Sequence, residues 1–179
     1  DSYTQAVALD ASQAKAWACL GHSLYNLGRY AEAMDSYDRA LSLDPDQWEI
    51  WEARGHSLGK QALYPSAILS YDRALSLNPD AAYAAFYRGV AWCELGIYGQ
   101  ALRSYDQASH YFSQDPLFWY NRSSCHARLG DVDRALATLK VCIALDFETY
   151  STLAQGDEDF EALWQDWRFL QLVYPPQIA

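Results

Sequence analysis

The sequence predicts an all-α solenoid of stacked helix pairs, and three observations predict it. Residues 36–46 read SYDRALSLDPD and residues 70–80 read SYDRALSLNPD, a match in ten of eleven positions at an offset of 34. Small and aromatic residues recur in the same 34-residue frame along most of the chain. Each frame holds two helical patterns, with no strand-like alternation competing.

The frames are 14–47, 48–81, 82–115 and 116–149. Trp17, Trp51 and Trp119 share one frame position, with Ala85 in the gap; Gly21, Gly55 and Gly89 share another, followed by Ser123. Ala33, Ala67, Ala101 and Ala135 recur in all four frames, and Tyr37, Tyr71 and Tyr105 are followed by Leu139. The glycines stand where the two helices of a pair must approach closely, and the alanines remove bulk from the facing helix. The tyrosines fill space between successive repeats, each buried ring contributing roughly 1.5–3 kcal/mol. A repeat cannot cover its own apolar face, so neighbours must stack.

In the first frame Trp17, Leu20, Leu24 and Leu27 share a helix face, which Gly28 ends. Tyr30, Ala33, Met34, Tyr37, Ala40 and Leu41 mark a second helix that stops before Pro45. The second frame repeats this plan. In the third, Ala85 replaces the tryptophan while Trp92, seven residues on, replaces a leucine, an exchange of large and small side chains on one face. Asp115-Pro116 is a helix N-cap followed by proline at the first helical position, so the preceding helix is expected to run on through Tyr111 or Phe112. The fourth frame has drifted most, with Ser123 for glycine, His126 for leucine, Cys142 for alanine and Phe147 for proline. Residues 1–13 fit the second helix of a truncated preceding repeat, so the chain is expected to be a fragment of a longer array. Residues 150–179 form an acidic capping segment, in which Phe160, Leu163, Trp164, Trp167 and Leu170 make an apolar stripe to cover the last repeat. One helix or two short ones would both satisfy that stripe.

The pattern Trp17-x2-Leu20-Gly21-x2-Leu24, then Ala33-x3-Tyr37, then Pro45, resembles the tetratricopeptide repeat. The resemblance covers 14–149 in four frames plus the half repeat before them. It implies a right-handed superhelix of helix-turn-helix units with a C-terminal capping helix. The elements Asp157-x-Asp159-Phe160-x-x-Leu163 and Asp166-x-Arg168-Phe169 resemble a closing segment seen after bacterial, especially cyanobacterial, arrays. A proline usually precedes that Arg-Phe; here Trp167 does.

Composition narrows the function. Net charge is −10, of which −6 falls in residues 146–179, with seven acidic side chains against one basic. No basic footprint offers itself to nucleic acid, and none is expected as partner. No run of 18 apolar residues suggests membrane insertion. Cys19, Cys93, Cys125 and Cys142 show no disulfide or CxxC spacing, which suits a reducing compartment, and a cytoplasmic location is expected.

The chemistry-bearing residues are read as structural. Cys125 and His126 are helix neighbours about 100° apart and cannot pair directly. His22 and His56 share a frame position but lack further ligands for a metal. Arg54, Arg88 and Arg122 also share a position and are expected to pair with Asp38, Asp72 and Asp106. No catalytic residue, metal or cofactor is expected.

What remains is surface. The resemblance implies that first helices of successive repeats line a concave groove for an extended peptide or a helix. Its groove positions fall on Lys15, Ala18, His22, Tyr25 and Asn26 in the first repeat, and on Glu49, Glu52, His56, Gly59 and Lys60 in the second. The third supplies Tyr83, Phe86, Val90, Cys93 and Glu94, and the fourth Leu117, Tyr120, Ser124, Ala127 and Arg128. Ala18, His22, Glu49 and Glu52 depart from the basic clamp with which some members hold a terminal carboxylate, so that ligand is not expected. The working site is expected at an aromatic end made by Tyr83, Phe86 and Tyr120. The partner is expected to be a protein or peptide with apolar or aromatic anchors and some basic character. The expected function is a non-catalytic interaction module with a scaffold or assembly role. The alternative is a structural spacer or regulatory domain of a larger protein that carries an enzymatic domain elsewhere.

Overall fold

The computed structural model describes residues 14–174. The expected half repeat at 1–13 and Pro175-Pro176 lie outside the described residues. Those described are all-helical and fall into two compact units, 14–95 and 96–174.

The first unit holds α1 (Ala14–Asn26), α2 (Tyr30–Leu43), α3 (Trp48–Lys60), α4 (Tyr64–Leu77) and α5 (Ala82–Glu94). Each helix packs on the next, and α1, α3 and α5 also touch in succession, as in a tetratricopeptide array. Ala33, Tyr37, Ala40, Ala67, Tyr71, Ala74, Ala84 and Ala85 are buried between them. The helices stop for local reasons. Asp44 and Asn78 are extended because prolines follow them, and each donates its N–H to the carbonyl four residues back. Gly28 ends α1 at φ +74°, in the left-handed region that closes helices, and Ala62 takes the same role after α3 at φ +57°.

The glycines of the first two frames make room for a ring rather than for a helix backbone. A Cβ at Gly21 would lie 2.6 Å from Tyr37 Cε1, and one at Gly55 2.5 Å from Tyr71 Cε1.

The second unit holds α6 (Tyr98–Ala108), α7 (Pro116–Arg128), α8 (Val132–Leu145) and α9 (Phe147–Gly156), then a 3-10 turn (Glu158–Leu163) and α10 (Trp167–Val173). Helix α6 does not run on to Tyr111 or Phe112. It ends at Ala108, whose carbonyl accepts from both their amides, and Phe112 folds back to stack on Phe118 with centroids 6.0 Å apart. Asp115 accepts from the Leu117 amide, so the expected cap with Pro116 behind it is present. In the drifted repeat Ser123 replaces glycine and Leu139 replaces tyrosine together: the smaller partner leaves space for the hydroxyl, which donates to the Ala135 carbonyl at 2.7 Å. Phe147 in place of proline removes a loop. Asp146 alone both ends α8 and caps α9, accepting from the Thr149 amide.

The tail departs from the single stripe. Phe160 and Leu163 are buried as expected, but Trp167 is 70% exposed and Leu170 39%, while Phe169 and Val173 go inside. The reason is a second start. Asp157 caps the 3-10 turn, and Asp166 accepts from the Arg168 amide to begin a new helix, which resets the helical phase. The 3-10 turn packs on α7 and α10 on α8, so Phe160, Leu163, Phe169 and Val173 join Tyr120, Leu139 and Cys142 in one core.

Candidate functional site

Helices α1, α3 and α5 carry the predicted ligand-facing positions of the first unit. Lys15, His22, Asn26, Glu49, Lys60, Tyr83 and Glu94 are exposed there, and Tyr25, Glu52 and His56 are partly buried. The structure gathers Tyr25, His56, Lys60 and Glu94 around one cavity of about 240 Å³. Gly59, Tyr64, Tyr71, Tyr87, Val90 and Ala91 complete its wall. The cavity is open at Gly59, where an added Cβ would meet only Tyr71 Oη, at 3.9 Å.

The wall is largely aromatic. The His56 ring stands edge-on to Tyr87, centroids 4.5 Å apart, and is tilted against Tyr71 at 5.6 Å. Its Nε2 is buried without a hydrogen-bond partner. Burial, then the Lys60 and His22 charges, push its pKa down to about 4, so the ring is neutral at pH 7. Tyr64 Oη donates to Glu94 Oε2 at 3.0 Å; burial and this carboxylate raise the phenol pKa. Next to the cavity, burial raises the Glu52 carboxyl pKa while the Ala84 amide works to lower it.

Sequence reasoning missed Tyr64, Tyr71, Tyr87 and Ala91 as lining residues. A signal for Tyr64 existed: Tyr30, Tyr64 and Tyr98 share a frame position. Tyr98 Oη repeats the reach of Tyr64, accepting from Arg128 Nε at 3.1 Å, and Arg128 stands one frame after Glu94.

The expected aromatic end needs correcting. Phe86 is 4% exposed and Tyr120 5%, so only Tyr83 of the three offers substantial surface. Tyr120 lies in the core of the second unit, against Phe160 and Tyr150, and donates to Asp157 Oδ2 at 2.6 Å. Ser124 is buried and donates to the Asn121 carbonyl. Arg128 sits over the Tyr98 ring at 5.6 Å and pairs with Asp159 at 3.7 Å. Tyr120 and Arg128 are engaged by the tail and by α6, which sequence spacing cannot foresee.

The arginine series pairs as expected. Arg54, Arg88 and Arg122 meet Asp38, Asp72 and Asp106 at 2.6, 2.8 and 2.6 Å. Trp51 and Trp119 each donate to a loop carbonyl, of Pro45 and Ser113, while Arg54 and Arg122 lie over their rings. Cys125 and His126 are both buried, and burial lowers the His126 pKa. Among the described residues no group of three or more His, Cys, Asp or Glu is placed to hold a metal. Nor is any of their helices long and apolar enough to cross a membrane.

No curated protein matches the sequence. Among solved structures, YrrB, described as a TPR protein with an unusual peptide-binding site, superposes with a TM-score of 0.82 at 17% identity, over 99% of this chain and 94% of that one. A crystal structure of MamA gives 0.77 at 18% identity, over 82% and 85%. The MamA fragment from Desulfovibrio magneticus RS-1 gives 0.76 at 18%, over 82% and 83%. At such identities the likeness establishes the fold alone. Family patterns described as tetratricopeptide repeat match residues 14–47, 52–102 and 94–146. With the recurring Gly-Tyr pairs, the paired helices and these matches in agreement, the chain belongs to the tetratricopeptide repeat family.

Proposed function

We propose that the chain is a non-catalytic protein-interaction module that holds a peptide or helix on the α1–α3–α5 face, in a scaffold or assembly role. One observation carries this. Ligand-facing positions of three successive repeats converge on a cavity of about 240 Å³ rather than packing it shut. Rigid aromatic surface with a few convergent polar groups is what a side-chain anchor requires. Lys15, Glu49, Glu52 and Tyr83 extend that face for the rest of a ligand, and the peptide-binding site named for the similar YrrB supports the same use. A mere spacer has no need of an open, tyrosine-lined hollow. The second unit's Tyr120, Ser124 and Arg128 take part only if their present contacts are exchanged for ligand contacts.

The test is selection of binders from a random peptide library on the intact chain, followed by titration of Gly59→Leu, which fills the cavity. Selected peptides should lose about tenfold or more in affinity, the mark of an anchor contact. Equal binding to both proteins would place the ligand elsewhere.

A further inference from the structure

We propose that the cavity beside His56 is a cation site: it receives the basic side chain, arginine or lysine, of a bound peptide. This rests on the interaction reading above and adds the chemistry of the anchor. Tyr25, Tyr64, Tyr71 and Tyr87 present four aromatic rings around one hollow. Such rings attract a cation through their negative faces, most strongly where water is excluded. His56 adds a fifth ring to the wall, and because it is neutral at pH 7 it does not repel a positive guest. Glu94 supplies the counter-charge. Tyr64 Oη holds its carboxylate in place, and no ion pair of Glu94 occurs among the described residues. Asp38 and Asp72, by contrast, are already paired with Arg54 and Arg88.

Size agrees with one side chain. A hollow of about 240 Å³ falls below the roughly 300–1,000 Å³ of drug-sized sites. Lys60 works against a cation from the rim. It is exposed on a flexible stem, so a guest displaces it into water. That gives the proposal a sign that an anion site would reverse: removing Lys60 must improve binding.

The probe is the peptide acetyl-Gly-Ser-Arg-Ser-Gly-amide, with counterparts carrying lysine, norleucine or glutamate in place of arginine. Each is titrated into the intact isotope-labelled chain. The arginine and lysine peptides should shift the Gly59 and Val90 amides and bind about fivefold or more tighter than norleucine. Glu94→Gln, an exposed and conservative change, should weaken the arginine peptide several-fold, and Lys60→Ala should strengthen it. Equal or tighter binding of the norleucine or glutamate peptide, weaker arginine binding in Lys60→Ala, or no shift at Gly59 and Val90 each overturns the cation site. None of these touches the interaction reading, which falls if the library selection on the intact chain returns no binder or if the selected peptides bind Gly59→Leu as well as the intact chain.

Discussion

The ring of Tyr37 occupies the space that a side chain at Gly21 would fill, and Tyr71 stands in the same relation to Gly55. Tyr37 is fully buried and Tyr71 nearly so, and neither ring can swing away. Gly55→Ala should therefore destabilise the chain by about 1–3 kcal/mol, the usual cost of overpacking. The drifted repeat shows the remedy, with serine and leucine in the two places. Gly55→Ser combined with Tyr71→Leu should be less destabilising than the sum of the single changes by about 1 kcal/mol, measured by denaturant titration of all three variants. Strict additivity would show that ring and glycine are independent.

Ala62 holds φ +57° where Gly28, Gly96 and Gly130 sit at +74°, +71° and +74°. An L-residue is strained there by about 1–2 kcal/mol, partly offset because glycine is more disordered when unfolded. Ala62→Gly should raise stability by about 0.5–1 kcal/mol, and Gly28→Ala should lower it by a similar amount. Calorimetric melting of both variants checks the sign.

His56 titrates near 6.5 when unfolded and at about 4 in the folded chain. Because its folded pKa is depressed, the unfolded chain binds the proton more readily. Its contribution is complete above pH 6.5 and is lost as the pH falls from 6.5 through 4. The loss should reach about 3 kcal/mol, at about 1.4 kcal/mol per pH unit. His56→Phe should flatten the fall in stability over this interval, and an unchanged slope would assign it to other groups.

Phe86 and Tyr120 should behave as core residues. Phe86→Ala should cost about 3–5 kcal/mol, comparable with truncating other buried rings. Tyr120→Phe removes only the bond to Asp157 and should cost about 1.5–3 kcal/mol, the range for a hydrogen bond to a charged group. Tyr83→Ala, at a 45% exposed position, should change stability by less than about 1 kcal/mol. Thermal melts of the three variants rank them directly.

Sequence by itself determined what repeats. Helix pairs, their ends at Gly28 and before Pro45, the cap at Asp115, and the pairing of Arg54, Arg88 and Arg122 with aspartates 16 residues earlier all follow from a 34-residue frame. Identical helices in identical neighbourhoods make identical contacts, so one repeat predicts the next. The candidate site was legible only in part: Tyr25, His56, Lys60 and Glu94 stand at positions the family resemblance marks as ligand-facing, while Tyr64, Tyr71 and Tyr87, which share its cavity, were not among them. What broke the frame needed the tertiary structure. Phe112 folds back onto Phe118, with Ser113 standing where the first two repeats carry proline. Tyr120 is buried because a non-repeating tail supplies Asp157 and Phe160 to cover it. Trp167 and Phe169 exchange inside for outside because Asp166 starts a new helix and resets the phase. Each of these contacts joins residues with no counterpart elsewhere in the chain, and periodicity says nothing about a contact made once.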